Sequence, residues 1–92
     1  MSDPHIHRSH PEIVKRLRRS EGHLRGIVEM IEAGRPCADI AQQLQAVESA
    51  IREAKRVLIQ DHVDHCLDAA LGASGREQRE RLDEFKRITK YL

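Results

Sequence analysis

Asp61 to Cys66 reads DHVDHC, and its His62, His65 and Cys66 set imidazole and thiol groups close together near the end of a long apolar-periodic segment. Thiolate and imidazole are soft and borderline donors, so the chemistry on offer is capture of a transition-metal ion. His62 and Cys66 lie four residues apart and share a face of any helix that carries them. A further thiol, Cys37, and two histidines, His5 and His7, stand well upstream. Taken singly, a cysteine at a helix start is usually a small apolar residue and a helical histidine is usually solvated or hydrogen-bonded. Their joint placement decides whether they form a site.

The elements that would position them are an arm and three helices. Residues 1–8 are polar, carry Pro4 and read as a flexible N-terminal arm, leaving 9–92 as one helical domain. Ser9 and Glu12 form a capping-box pair, Pro11 suits a first turn, and Ile13, Leu17, Leu24, Ile27 and Ile31 follow at helical spacing, giving a helix over about 10–33. Gly34 stops it and Pro36 blocks its resumption. The second helix is expected over about 37–70, with Ile40, Leu44, Val47, Ile51, Ala54 and Leu58 alternating steps of four and three as a heptad-type seam. LGASG ends it. Ser74 with Glu77 opens a shorter helix over about 75–91, whose apolar residues are Leu82, Phe85, Ile88 and Leu92.

At 100° per residue from Ile40, Cys37 falls at about 60°, His62 at about 40° and Cys66 at about 80°, all on one flank of the seam. At 1.5 Å per residue, however, Cys37 stands about 37 Å along the axis from His62. An antiparallel pair of second helices related by a two-fold axis removes that separation, because residue i of one copy then faces residue j of the other with i + j constant. Cys37 falls opposite the midpoint of His62 and Cys66 when the axis lies near Ala50 and Ile51, in the middle of the seam. The spacing therefore predicts a dimer with two sites, each drawing Cys37 from one subunit and His62 with Cys66 from the other. A hairpin of the first two helices returns the arm to the same end, making His5 a fourth ligand with His7 as its competitor. His65, at about −20°, points more into the seam than toward the flank, and is read as a structural residue or a possible ligand.

Composition agrees with a small helical protein that needs a partner. The chain has 92 residues, 39% hydrophobic and 34% charged, with one Tyr, one Phe and no Trp, and a core of that size is marginal unless subunits share one. No apolar run reaches the ~20 residues of a bilayer span, so a cytoplasmic location and no membrane partner are expected. In that reducing compartment two cysteines favour ligands or reactive thiols over a structural disulfide. The net charge is only +1, yet Lys15, Arg16, Arg18, Arg19 and Arg25 crowd the first helix, and Arg52, Lys55 and Arg56 follow on the second. Such a face is most often merely solvated, but on a symmetric dimer or tetramer it makes a broad positive surface able to neutralise phosphates. No helix-turn-helix, zinc-finger or basic-zipper signature is present, so DNA would be met by an uncommon scaffold.

VKRLRRSEGHLRGIVEMIEAGRPCADI followed by HVDHC resembles the copper-sensitive operon repressor and nickel/cobalt repressor family (CsoR/RcnR type) over nearly the whole chain. The resemblance implies an all-α fold: a three-helix subunit with a long antiparallel hairpin, a dimer forming a four-helix bundle, and a tetramer built as a dimer of dimers. It implies a repressor whose metal-free form binds operator DNA and whose release by metal lets efflux genes be transcribed. The family's ligand positions carry over as Cys37, His62 and Cys66, with His5 at the amino-terminal position of its nickel and cobalt sensors. Its DNA-contacting basic residues match Arg16 and its neighbours Lys15, Arg18 and Arg19, and Arg56 is added on the second helix.

Two thiolates and one imidazole suit Cu(I), whereas adding His5 suits square-planar Ni(II) and, less well, tetrahedral Zn(II) or Co(II). Copper sensors of the family carry a Tyr before the first Cys and a Glu on the third helix. Pro36 and either Arg81 or Leu82 occupy those places here, which favours nickel. The family's formaldehyde sensors typically keep a carboxylate where Cys66 stands, and its persulfide sensors lack the histidine at His62. A cytosolic metal carrier or buffer would need the ligands but not the basic helices. An enzyme is not expected, since no oxyanion loop or acidic partner accompanies the Cys and His residues, and no small-molecule substrate is implied.

Overall fold

The computed structural model describes residues 9–72 and 74–92; His5 and His7 lie outside them. Three helices follow in order, α1 (His10–Glu32), α2 (Cys37–Leu71) and α3 (Gly75–Thr89), and the described residues contain no strand. None of these helices is long and apolar enough to cross a membrane. Their ends lie within two residues of those expected. Gly34, at φ 71°, takes the left-handed conformation that closes α1. Arg35 N–H donates to Met30 O at 3.0 Å and Gly34 N–H to Ile31 O at 3.1 Å, the paired bonds of a Schellman ending. Pro36 then supplies the carbonyl that accepts from Asp39 and Ile40 N–H, starting α2. At α3 the backbone of Ser74 is the N-cap and its carbonyl accepts from Gln78 N–H, but its hydroxyl makes no capping hydrogen bond. The expected capping box is thus a position without its side-chain bond.

The chain divides into two compact units, His10–Lys55 and Arg56–Leu92 together with Ser9. In the first, the buried apolar residues are Ile13, Ile27, Val47 and Ala54. The buried stripe of α1 runs Ile13, Ser20, Ile27 in steps of seven, with Arg16, His23 and Met30 half-buried beside it. Leu17, Leu24 and Ile31, expected on the core face, are instead 40–56% exposed and join Val14 and Val28 in a second apolar stripe. The seam of α2 splits the same way. Val47 and Ala54 are buried at a seven-residue step, while Leu44 and Ile51, their heptad alternates, are 45% and 41% exposed. One alternate set closes the hairpin and the other faces out, so two residues per heptad are committed to different neighbours. His23 Nε2 and Gln43 Oε1, 2.6 Å apart, tie α1 to α2 within this unit.

In the second unit the buried apolar residues are Ile59 and Cys66, and α3 contributes none. The stripe α3 turns inward is Arg81, Glu84, Phe85 and Ile88, all half-buried. Leu82 and Leu92, expected on that face, are 44% and 77% exposed. Two of the four inward positions are charged, so α3 is held by polar contacts as much as by apolar ones.

Candidate metal centre

The last third of α2 carries His62 and Cys66 one turn apart, and helical geometry brings them together without help from any loop. His62 Nε2 lies 3.2 Å from Cys66 Sγ. From α3, Glu84 completes the group: Oε1 stands 3.6 Å from His62 Nε2, and the Cys66 thiol points to Oε2 at 3.9 Å. With one donor atom taken from each residue, the three all fall within 4.8 Å of one another. An ion with bonds of about 2.0–2.3 Å at tetrahedral angles separates its ligands by roughly 3.3–3.8 Å, and the His62–Cys66 and His62–Glu84 separations lie close to that range. Cys66 is buried, and the side chains of His62 and Glu84 are only 16% and 21% exposed.

The electrostatics set the proton state. Burial pushes the Cys66 thiol above its ordinary range, and the Glu84 carboxylate adds to the effect by charge and hydrogen bonding, while Arg81 opposes it. Arg81 Nη1 reaches Glu84 Oε2 at 3.6 Å. The thiol is therefore held as S–H, its proton is available to Glu84, and any ion taken here must expel it.

Of the ligand set expected from sequence, the structure brings together His62 and Cys66. Cys37 is exposed at the first residue of α2. His5 and His7 fall outside the described residues, and His65 is exposed, seven residues beyond Leu58 on the stripe that includes Leu44 and Ile51. Glu84 was missed. A carboxylate at helical spacing from Phe85 and Ile88 could have signalled it, because a charge inside an apolar stripe is expected to have a partner. Of the basic residues, Lys15, Arg18, Arg19 and Arg56 are exposed, while Arg16 is half-buried 3.9 Å from Glu12. Arg16, Arg19, Ser20 and His23 line a groove with Ala50.

A family model for the metal-sensitive transcriptional repressors matches residues 9–91. The chain belongs to that family. It is 42% identical over 81 residues to the copper-sensing transcriptional repressor CsoR of Bacillus subtilis (strain 168), covering 86% of this chain and 80% of that protein. It is 44% identical over 61 residues to the copper-sensing transcriptional repressor RicR of Mycobacterium tuberculosis, covering 66% of this chain and 64% of that one. Among solved structures, the nickel-responsive transcriptional regulator InrS superposes with a TM-score of 0.77 at 33% identity, covering 88% and 89% of the two chains. The all-α three-helix fold expected for this repressor family is thereby that of a known metal sensor. Its relatives are transcriptional repressors, not enzymes.

Proposed function

We propose that this family member represses transcription by binding operator DNA in its metal-free form as a homodimer or homotetramer, and that Ni(II), bound between subunits, releases it. The observation that carries the reading is the contrast between the two ends of α2: His62 and Cys66 are 3.2 Å apart at one end, and an exposed Cys37 opens the other. The outward stripe with Leu44 and Ile51 lies between them. Antiparallel pairing through that stripe supplies Cys37 of one subunit to His62 and Cys66 of the next, with His5 from the arm as the fourth ligand. Residues 1–8 then serve as a ligand-bearing arm on a single helical domain, 9–92. The ion must favour the state that fits DNA less well, by about 1–3 kcal/mol per coupled event. Lys15, Arg16, Arg18, Arg19 and Arg56 supply the phosphate contacts.

A copper reading, with Cys37, His62 and Cys66 as three ligands of Cu(I), is favoured by one feature. Glu84 stands on α3 beside His62, so a third-helix carboxylate is present although Arg81 and Leu82 occupy the aligned places. Co(II) and Zn(II) fit less well.

The test has two parts. Duplexes enriched from a random-sequence pool by the metal-free protein are titrated by fluorescence anisotropy with and without Ni(II) or Cu(I); X-ray absorption of the bound ion counts its S and N/O ligands. Loss of DNA affinity with either ion supports the reading and names the metal, and unchanged affinity with both eliminates it. Mixed dimers of Cys37→Ala and His62→Ala subunits should regain one intact site, and a dimer with none would exclude the shared-ligand arrangement. Charge reversal at Arg16 and Arg19 should abolish DNA binding, whereas a metal buffer would be unaffected.

A further inference from the structure

Ser9 and Asp61, 52 residues apart in sequence, are joined by a hydrogen bond in which the Ser9 hydroxyl donates to Asp61 Oδ2 at 2.6 Å. The length is that of a charge-assisted O–H···O⁻ bond, the stronger kind. Its two ends occupy telling places. Ser9 immediately precedes His10, where α1 opens, and α1 carries Lys15, Arg16, Arg18 and Arg19. Asp61 immediately precedes His62 on α2, one residue from the candidate centre. Ser9 sits in a groove on α2 lined by Arg56, Val57, Gln60, Asp61 and Asp64. The Gln60 amide donates to Asp64 Oδ1 at 3.1 Å, bracing that turn.

We infer that the Ser9–Asp61 hydrogen bond is the link by which the state of the His62–Cys66 centre reaches the DNA-binding helix. The inference rests on the proposed function and adds a route to it. Consecutive residues of a helix move as a rigid turn, so any shift that settles His62 on an ion carries the Asp61 carboxylate with it. A 2.6 Å bond between short side chains has little slack, and its strength falls steeply once distance and angle leave their narrow range. With the centre empty, the bond holds the first turn of α1 in the DNA-competent posture; with the centre filled, that hold is lost. Ser9 and Asp61 touch no ion in this scheme and act as positioning residues.

A double-mutant cycle tests it. DNA affinity is measured by anisotropy on the enriched duplexes, with and without Ni(II) and Cu(I), for wild type, Asp61→Ala, Ser9→Ala, the double variant and Ser9→Thr. Metal affinity and far-UV circular dichroism are measured in parallel. Asp61→Ala should weaken metal-free DNA binding by about ten- to a hundredfold, as expected for losing a bond to a charged group, while metal-loaded DNA affinity changes less than twofold. Ser9→Ala should do the same, the double variant should be no worse than either, and Ser9→Thr should behave as wild type. Ser9 also stands at the expected N-cap position of α1, and Asp61 does not, so agreement between the two single variants separates the link from any capping role. A purely electrostatic role predicts the opposite sign, because removing a carboxylate strengthens DNA binding in both states. Metal-free affinity within twofold of wild type in Asp61→Ala, equal changes in both states, or additive single effects would overturn the inference. If the wild-type protein itself shows no metal response, the proposed function fails first; if it responds and Asp61→Ala responds equally, only the link fails.

Discussion

The unit His10–Lys55 and the unit Arg56–Leu92 solve the problem of a small core in different ways. The first buries Ile13, Ile27, Val47 and Ala54 and leaves a second apolar stripe facing out. The second buries Ile59 and Cys66, and its last helix buries nothing, turning Arg81 and Glu84 inward instead. Stability is concentrated in one and chemistry in the other. Groups that must change partners during function are better placed where few apolar contacts would be broken by the change.

Substitutions can separate the two roles. The largest expected effect is Ile27→Ala, which should lower unfolding free energy by about 2–5 kcal/mol in denaturant titrations while leaving the metal's ligand count unchanged. His62→Ala should do the converse, reducing metal affinity by about a hundredfold or more, at or beyond the upper end of losses seen when merely supporting residues are removed. Its effect on unfolding should stay below about 2 kcal/mol, since the side chain is polar and half-buried and Glu84 keeps Arg81 as a partner when it is removed. Equal stability losses from the two variants would erase the distinction.

A pH series sharpens it further. Because burial and Glu84 keep Cys66 protonated, metal binding displaces that proton, and affinity should climb by at least about tenfold per pH unit between pH 6 and 8 in chelator competition. A flat profile would mean that the thiol is not a ligand. The sign for folding alone is reversed: the folded thiol titrates above the unfolded one, so the metal-free protein loses stability as pH climbs past the unfolded value. The smallest effect is Ser74→Ala. Its hydroxyl makes no capping bond, so the melting temperature should move by less than about 2 °C, against the 0.5–2 kcal/mol typical of a working cap.

Helix ends and the pairing of His62 with Cys66 were legible in the sequence because both are local. Gly34, Pro36 and an i, i+4 spacing act within one or two turns. Which apolar stripe turns inward was not legible. Leu17 and Ser20 lie on neighbouring faces of α1, and apolar periodicity favours the leucine; yet Ser20 is buried and Leu17 is exposed. That inversion follows when a helix has two contact faces and only one of them meets its own chain. Glu84 was missed for a related reason. Its place beside His62 depends on the rotation of α3 about its axis, which the pattern of Leu82, Phe85, Ile88 and Leu92 set off by roughly 45°: Phe85 and Ile88 turn inward as expected, but Leu82 and Leu92 do not.

The buried, protonated state of Cys66 also bears on oxidative damage. Peroxides attack thiolate, not thiol, and need access to the sulfur. A sensor that keeps this sulfur sheltered and protonated until an ion arrives reacts slowly with such oxidants. The His62–Cys66 pair would therefore stay intact through a burst of peroxide that disables proteins with low-pKa cysteines.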